Sequence, residues 1–127
     1  MSTVLNCPHT YAQEEEGVLT IGFTDNVDQP SQYLLLQRSL TPSDQDKRLG
    51  HDRVHIELTD QGYSAYGGIW RVRLASDRLS LFLDEKMAQT LNCEAELEVT
   101  LKLDAQEAAD LRKHLSRIFA GQSVTVE

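Results

Sequence analysis

Residues 62–83 read GYSAYGGIWRVRLASDRLSLFL, and the fold class turns on how they are read. Trp70, Val72 and Leu74 alternate with Arg71 and Arg73. After Ala75-Ser76-Asp77, Leu79, Leu81 and Leu83 alternate with Arg78 and Ser80. A period of two places the apolar set on one face of a strand and the arginines on the other. Two such runs joined by three turn-forming residues predict a β-hairpin, with Trp70 buried beside Val72. Phe82 interrupts the polar face, so that end is expected to be covered. Gly67-Gly68 precedes the hairpin, where glycine marks a bulge or a close backbone approach. It is read as a kink that aims Tyr66 and Trp70, or as backbone exposed to a ligand.

Working outward, Gly17–Phe23 alternates as a strand, with Leu19, Ile21 and Phe23 on one face. Tyr33–Arg38 is an apolar run expected to form a central strand buried on both faces. Between them, Thr24–Gln32 is dense in turn formers. Ser43 to Gly50 predicts a short helical turn with a glycine stop. In His51–Thr59, Val54, Ile56 and Leu58 alternate with Arg53, His55 and Glu57, and Asp60–Gly62 is expected to turn. Asp84 caps a short helix carrying Met87, Ala88 and Leu91, which Asn92 can end. Glu94–Leu103 alternates as a further strand, whose glutamates are expected to face Arg71 and Arg73. Asp104 and Glu107 have the spacing of a capping box. They open a helix with Leu111, Leu115, Ile118 and Phe119 in one stripe. The last residues add an edge strand or fray. The expected fold is α+β: a mainly antiparallel, curved sheet of about six strands, with the C-terminal helix packed on one face and a short second helix. Residues 1–127 are expected to form one domain, with 1–16 a solvated polar lead-in and 17–119 the core.

Composition narrows the function classes. A chain of 127 residues is long enough to bury a core. The net charge of −8 argues against nucleic acid as a ligand, because phosphates demand a basic surface. Residues 1–60 carry ten acidic against four basic residues, so the first half is the better candidate for meeting a basic partner. No stretch is apolar and long enough to span a bilayer. The N-terminus lacks the pattern of a signal peptide, which points to the cytoplasm. Cys7 and Cys93 are too few and too far apart for a disulfide framework or a zinc site.

Two constellations are candidates for chemistry. His51, His55 and Glu57 share a strand face and are zinc or iron ligand types. Residues two apart on a strand supply only part of such a set, and a solvated sheet face explains them equally. The aspartates Asp25, Asp28, Asp44, Asp46, Asp52 and Asp60 lie in loops that read as wet, where paired carboxylates lack the burial that acid–base work requires. Nucleophile, P-loop and dinucleotide motifs are not found. Tyr63, Tyr66, Trp70, Arg71 and Arg73 are the residue types that dominate protein interfaces.

The segments GFTDNVDQPSQYLLLQRSL, DQDKRLGHDRVHIEL and SAYGGIWRVRL followed by LSLFLD resemble the immunity protein 10 family of bacterial polymorphic toxin systems. The resemblance runs from about Gly17 to Phe119. It implies a cytoplasmic antidote, not an enzyme and without a cofactor, that binds a cognate toxin domain and blocks its active site or an exosite. An acidic antidote suits a basic nuclease. The expected binding surface combines Asp25, Asp28, Asp44, Asp46, Asp52, Tyr63 and Tyr66. The alternatives are a small metal-dependent enzyme using His51, His55 and Glu57, and an adaptor that forms a homodimer through the hairpin edge.

Overall fold

The structure, a computed structural model, describes residues 2–127, and for residues 60–62 the backbone alone. It is α+β, with two five-stranded sheets that do not close into a barrel. The first strand, β1 (Thr3–Asn6), joins one sheet, and the chain then crosses to build the other. That second sheet is an antiparallel meander of β2 (His9–Glu15), β3 (Val18–Thr24), β4 (Tyr33–Ser39), β5 (His55–Leu58) and β6 (Asp60–Tyr66), in chain order. The chain returns to the first sheet with β7 (Ile69–Leu74), β8 (Arg78–Leu83), β9 (Glu96–Thr100) and β10 (Thr125–Val126). That sheet has the order β1-β9-β8-β7-β10 and is mixed, because β1 and β10 run parallel to their neighbours. The α+β class matches the sequence reading, whereas the strands number ten among the described residues and form two sheets.

The difference comes largely from the N-terminal segment. Instead of a solvated lead-in, it supplies β1 and β2, and it buries Leu5 and Cys7 in the core. β2 lies at the meander's edge, with only Ala12 apolar among its three core-side positions, so its alternation is invisible in the sequence. Its core-side Glu14 is instead paired with Arg117 at 3.0 Å. Glu16 and Gly17, both at positive φ, close the tight turn into β3. Asp60–Gly62 lies at the start of β6 rather than in a turn. The reversal falls one residue earlier at Thr59 (φ 62°), and Asp60's side chain lies outside the described residues.

The two sheets share one core. Ile21, Leu36 and Ile56 stand side by side across β3, β4 and β5 and are fully buried. Leu81 and Leu97 do the same across β8 and β9. Burying such a side chain stabilises the fold by roughly 1.5–3 kcal/mol. Gly67-Gly68, both left-handed, is the crossing between the sheets. Any side chain there would strike Arg53 or Met87. The bulge that follows inserts Trp70 as an extra residue opposite Leu83 and Phe82. Trp70 is therefore turned outward and is 52% exposed, contrary to the burial that strict alternation predicts. It packs on Phe82 at 5.6 Å.

Three helices among the described residues complete the fold. Ser43 and Asp46 form the capping box of α1 (Asp44–Arg48). Asp84 caps α2 (Glu85–Leu91), which buries Met87, Ala88 and Leu91 and ends on left-handed Asn92. The longest, α3 (Ala105–Ile118), opens with the Asp104/Glu107 capping box and buries Leu111, Leu115 and Ile118. It is tied to both sheets. Arg112 donates to the Leu74 carbonyl at 3.0 Å, and Arg38 of β4 donates to the Ile118 and Ala120 carbonyls at 2.9 and 2.7 Å. A guanidinium on those carbonyls caps the negative end of the helix. No helix among the described residues is long and apolar enough to cross a membrane.

Candidate functional site

The register of the meander decides which side chains leave the core. With Leu19, Ile21, Phe23, Leu34, Leu36, Ile56 and Leu58 inward, the outward rows are fixed by pairing. One row is Tyr11, Gly22, Leu35, Glu57 and Ser64; the next is Gln13, Thr20, Gln37, His55 and Tyr66. The outward positions of all five strands include no Lys or Arg. Residues 1–37 contain none at all, against five acidic residues, and Arg38, the first cation in the chain, points inward to α3. Because α2 and α3 bury their apolar stripes on the core side, this outward face is left to solvent.

Its centre is aromatic. Gly22 is buried beneath the ring of Tyr11, and a Cβ there would lie 2.2 Å from two of the ring carbons. Glycine in mid-strand thus serves a close approach, letting the tyrosine lie flat on the sheet. Tyr33 donates its hydroxyl to Glu57 at 2.6 Å. Tyr11, Gly22, Tyr33 and the partly exposed Leu35 border a groove of about 650 Å³ that Val27 and Pro30 rim from the β3–β4 loop. The expectation that β4 is buried on both faces is therefore corrected. β4 is the middle strand, but only Leu34 and Leu36 enter the core.

Of the expected binding residues, Tyr66 lies at the far end of this face. It stacks on His51 at 4.3 Å and tilts against His55 at 4.8 Å, with Asp46 lining the same small pocket. Asp25 and Asp28 lie at the opposite end of β3 and β4, about 20 Å away at ~3.3 Å per residue. Asp25 accepts from both the amide and the hydroxyl of Ser31, and these bonds hold its carboxyl down to about 2. The Asn26 side chain accepts from the Asp28 and Gln29 amides, folding the loop on itself. Asp44 and Asp46 open α1, where hydrogen bonds from Ser43 lower the pKa of Asp46. Asp52, through its carbonyl, accepts from Gln122 near the crossing between sheets. Nearby Lys47, Arg48 and Arg53 offset these three aspartates, whereas no Lys or Arg precedes Arg38 in the chain to offset Asp25 and Asp28. Tyr63 is exposed on β6.

His51, His55 and Glu57 do not converge as ligands. The two imidazoles face Tyr66, while Glu57 is engaged by Tyr33. Among the described residues no three His, Cys, Asp or Glu side chains gather as a metal site. Burial lowers the pKa of His55, outweighing the pull of Glu57, and its Nδ1 has no hydrogen-bond partner. Burial likewise pushes the Cys7 thiol up to about 11, with Asp25 adding to the shift.

The mixed sheet presents a different outer surface. Arg71 pairs with Glu127 and lies 5.0 Å over the Phe82 ring, and Arg78 reaches Glu98 at 3.7 Å. The β9 glutamates do face the hairpin, but Glu98 meets Arg78 because β8 separates β9 from Arg71 and Arg73. Both edges of the hairpin are occupied, by β9 and β10, so a homodimer through that edge would have to displace one of them.

Sequence reasoning missed Tyr11, Gly22, Tyr33 and Leu35 as members of one surface. The available signal was Gly22 in the middle of a strand pattern.

The fold and this face define a small two-sheet α+β protein whose outward meander positions carry aromatic rings and no Lys or Arg. The Immunity protein 10 family model matches residues 6–109, and the chain belongs to that family. It is an immunity protein of the toxin-system kind. The match takes in β2 and ends within α3. No curated protein matches the chain.

Proposed function

We propose that this protein is a stoichiometric antidote of a polymorphic toxin system: it binds one cognate toxin domain in the cytoplasm and blocks that domain without chemistry of its own. The observation that carries the reading is the family match across most of both sheets. The net charge of −8 supports a basic toxin, of which a nuclease is the natural class, since an enzyme that handles phosphates carries a basic surface. Opposite charge speeds encounter by roughly 10–10³-fold at low salt. The test is co-expression with the toxin domain encoded by the adjacent gene. Rescued growth and a co-purifying one-to-one complex are the expected results. A toxin that kills regardless and never co-purifies would overturn the reading. With the complex in hand, an association rate indifferent to salt would remove the nuclease assignment while leaving the antidote.

A further inference from the structure

We infer that the outward face of the meander, centred on Tyr11 and running from the Asp25–Asp28 loop to Tyr66, is the surface that docks the toxin, and that it receives an arginine-bearing basic face of that domain. The inference rests on the antidote reading and says where and to what chemistry the protein binds. Three observations converge on it.

The face is built to be rigid and amphipathic. Tyr11 is seated on Gly22 and Tyr33 is fixed by Glu57. Tyr66 packs against two imidazoles, those of His51 and His55. Tyrosines held in place before binding lose little conformational freedom when a partner arrives. The outward strand positions of the face carry no Lys or Arg, while its carboxylates sit where incoming guanidinium groups would pair: Glu57 on β5 and Asp25 and Asp28 in the β3–β4 loop. Guanidinium groups stack on aromatic rings and pair with carboxylates, so arginine matches both features at once. Finally, the molecule's other sheet face carries its own cations, with Arg71 paired to Glu127, Arg78 paired to Glu98, and Arg73 in a pocket with Glu96 and Glu98. That leaves the meander as the sheet face with unmatched negative charge.

The test compares two double variants of equal added charge. Gln13→Arg/Tyr66→Arg places two cations on the outward face of the meander. Val4→Arg/Thr100→Arg places two on the outward face of the mixed sheet, at exposed positions of β1 and β9. Each is titrated against the adjacent-gene toxin domain carrying an inactivating active-site substitution, after circular dichroism has confirmed folding. The meander variant is expected to weaken the dissociation constant at least 100-fold and to abolish growth rescue. The mixed-sheet variant should stay within threefold of the parent. Tyr66→Ala alone, at a half-exposed position on an edge strand, is expected to weaken binding about tenfold. It serves as the readout should the double variant fail to fold. Tight binding by the meander variants, or a loss confined to the mixed-sheet variant, overturns this surface assignment and leaves the antidote reading intact. Failure of the parent chain itself to bind overturns both.

Discussion

Replacing Gly22 by alanine tests the architecture of the open face directly. The backbone at Gly22 is ordinary strand, so alanine is conformationally acceptable and by itself slightly favourable there. The obstacle is Tyr11. The new methyl would lie 2.2 Å from the Cε1 and Cζ atoms of the ring and 2.5 Å from its hydroxyl oxygen, so the ring has to move by more than 1 Å. Tyr11 is 49% exposed on an edge strand, so it can swing outward instead of straining the core. The cost is then the loss of a cross-strand aromatic contact, about 1 kcal/mol, with overpacking of up to ~3 kcal/mol as the ceiling. In a domain of this size about 1 kcal/mol lowers Tm by roughly 3–5 °C. Urea and thermal unfolding of Gly22→Ala, Tyr11→Ala and the double variant form a thermodynamic cycle. The two single losses should not add: once the ring is gone, alanine at 22 is neutral or stabilising, giving a coupling of about 1 kcal/mol or more. Additivity within ~0.5 kcal/mol would mean the ring does not rest on Gly22 and would refute the reasoning.

Arg38→Ala removes the donor that caps the carbonyl end of α3. It should cost about 1–2 kcal/mol in urea unfolding, with Arg38→Lys recovering part of the loss; a change below ~0.5 kcal/mol would contradict the cap. Asp25 should titrate near 2 by carboxyl NMR, and Ser31→Ala should raise that value toward the ordinary aspartate range. Because its folded pKa lies below the unfolded one, its contribution is complete above about pH 4 and fades as pH falls toward 2. The β3–β4 loop should loosen in acid across that window, and Asp25→Asn should flatten the pH dependence. Cys7, fully buried with its thiol pushed up to about 11, should resist thiol reagents at pH 8 until the protein unfolds, and rapid labelling of the native protein would place it at the surface.

Under the proposed function, the docking surface has to keep its shape before the partner arrives. The structure is consistent in that its rings and loops are braced by internal partners, with Asp25 held by Ser31 and Tyr33 by Glu57. Perturbations of those braces are therefore expected to change binding before they change the fold.

Local signals in the sequence determined the elements whose physics is local. The Ser43, Asp84 and Asp104 caps, the stop at Asn92, the apolar stripe of α3 and the alternation of β3, β5 and β8 all need only nearest neighbours along the chain, and the structure has each of them. The composition likewise shows an acidic chain whose cations are concentrated in its second half. What tertiary structure decided was pairing. β1 and β2 carry too few apolar residues to announce themselves, and they exist because β9 and β3 offer free edges for their backbone hydrogen bonds. Trp70 faces outward because a single inserted residue in β7 reverses the alternation, which a period of two cannot foresee. The open face arises in the same way. Tyr11, Gly22, Leu35 and Glu57 are scattered over 47 residues of chain and become neighbours through the register of four strands. Register is a property of the folded sheet, set by which faces can be buried together, and no stretch of the sequence contains it alone.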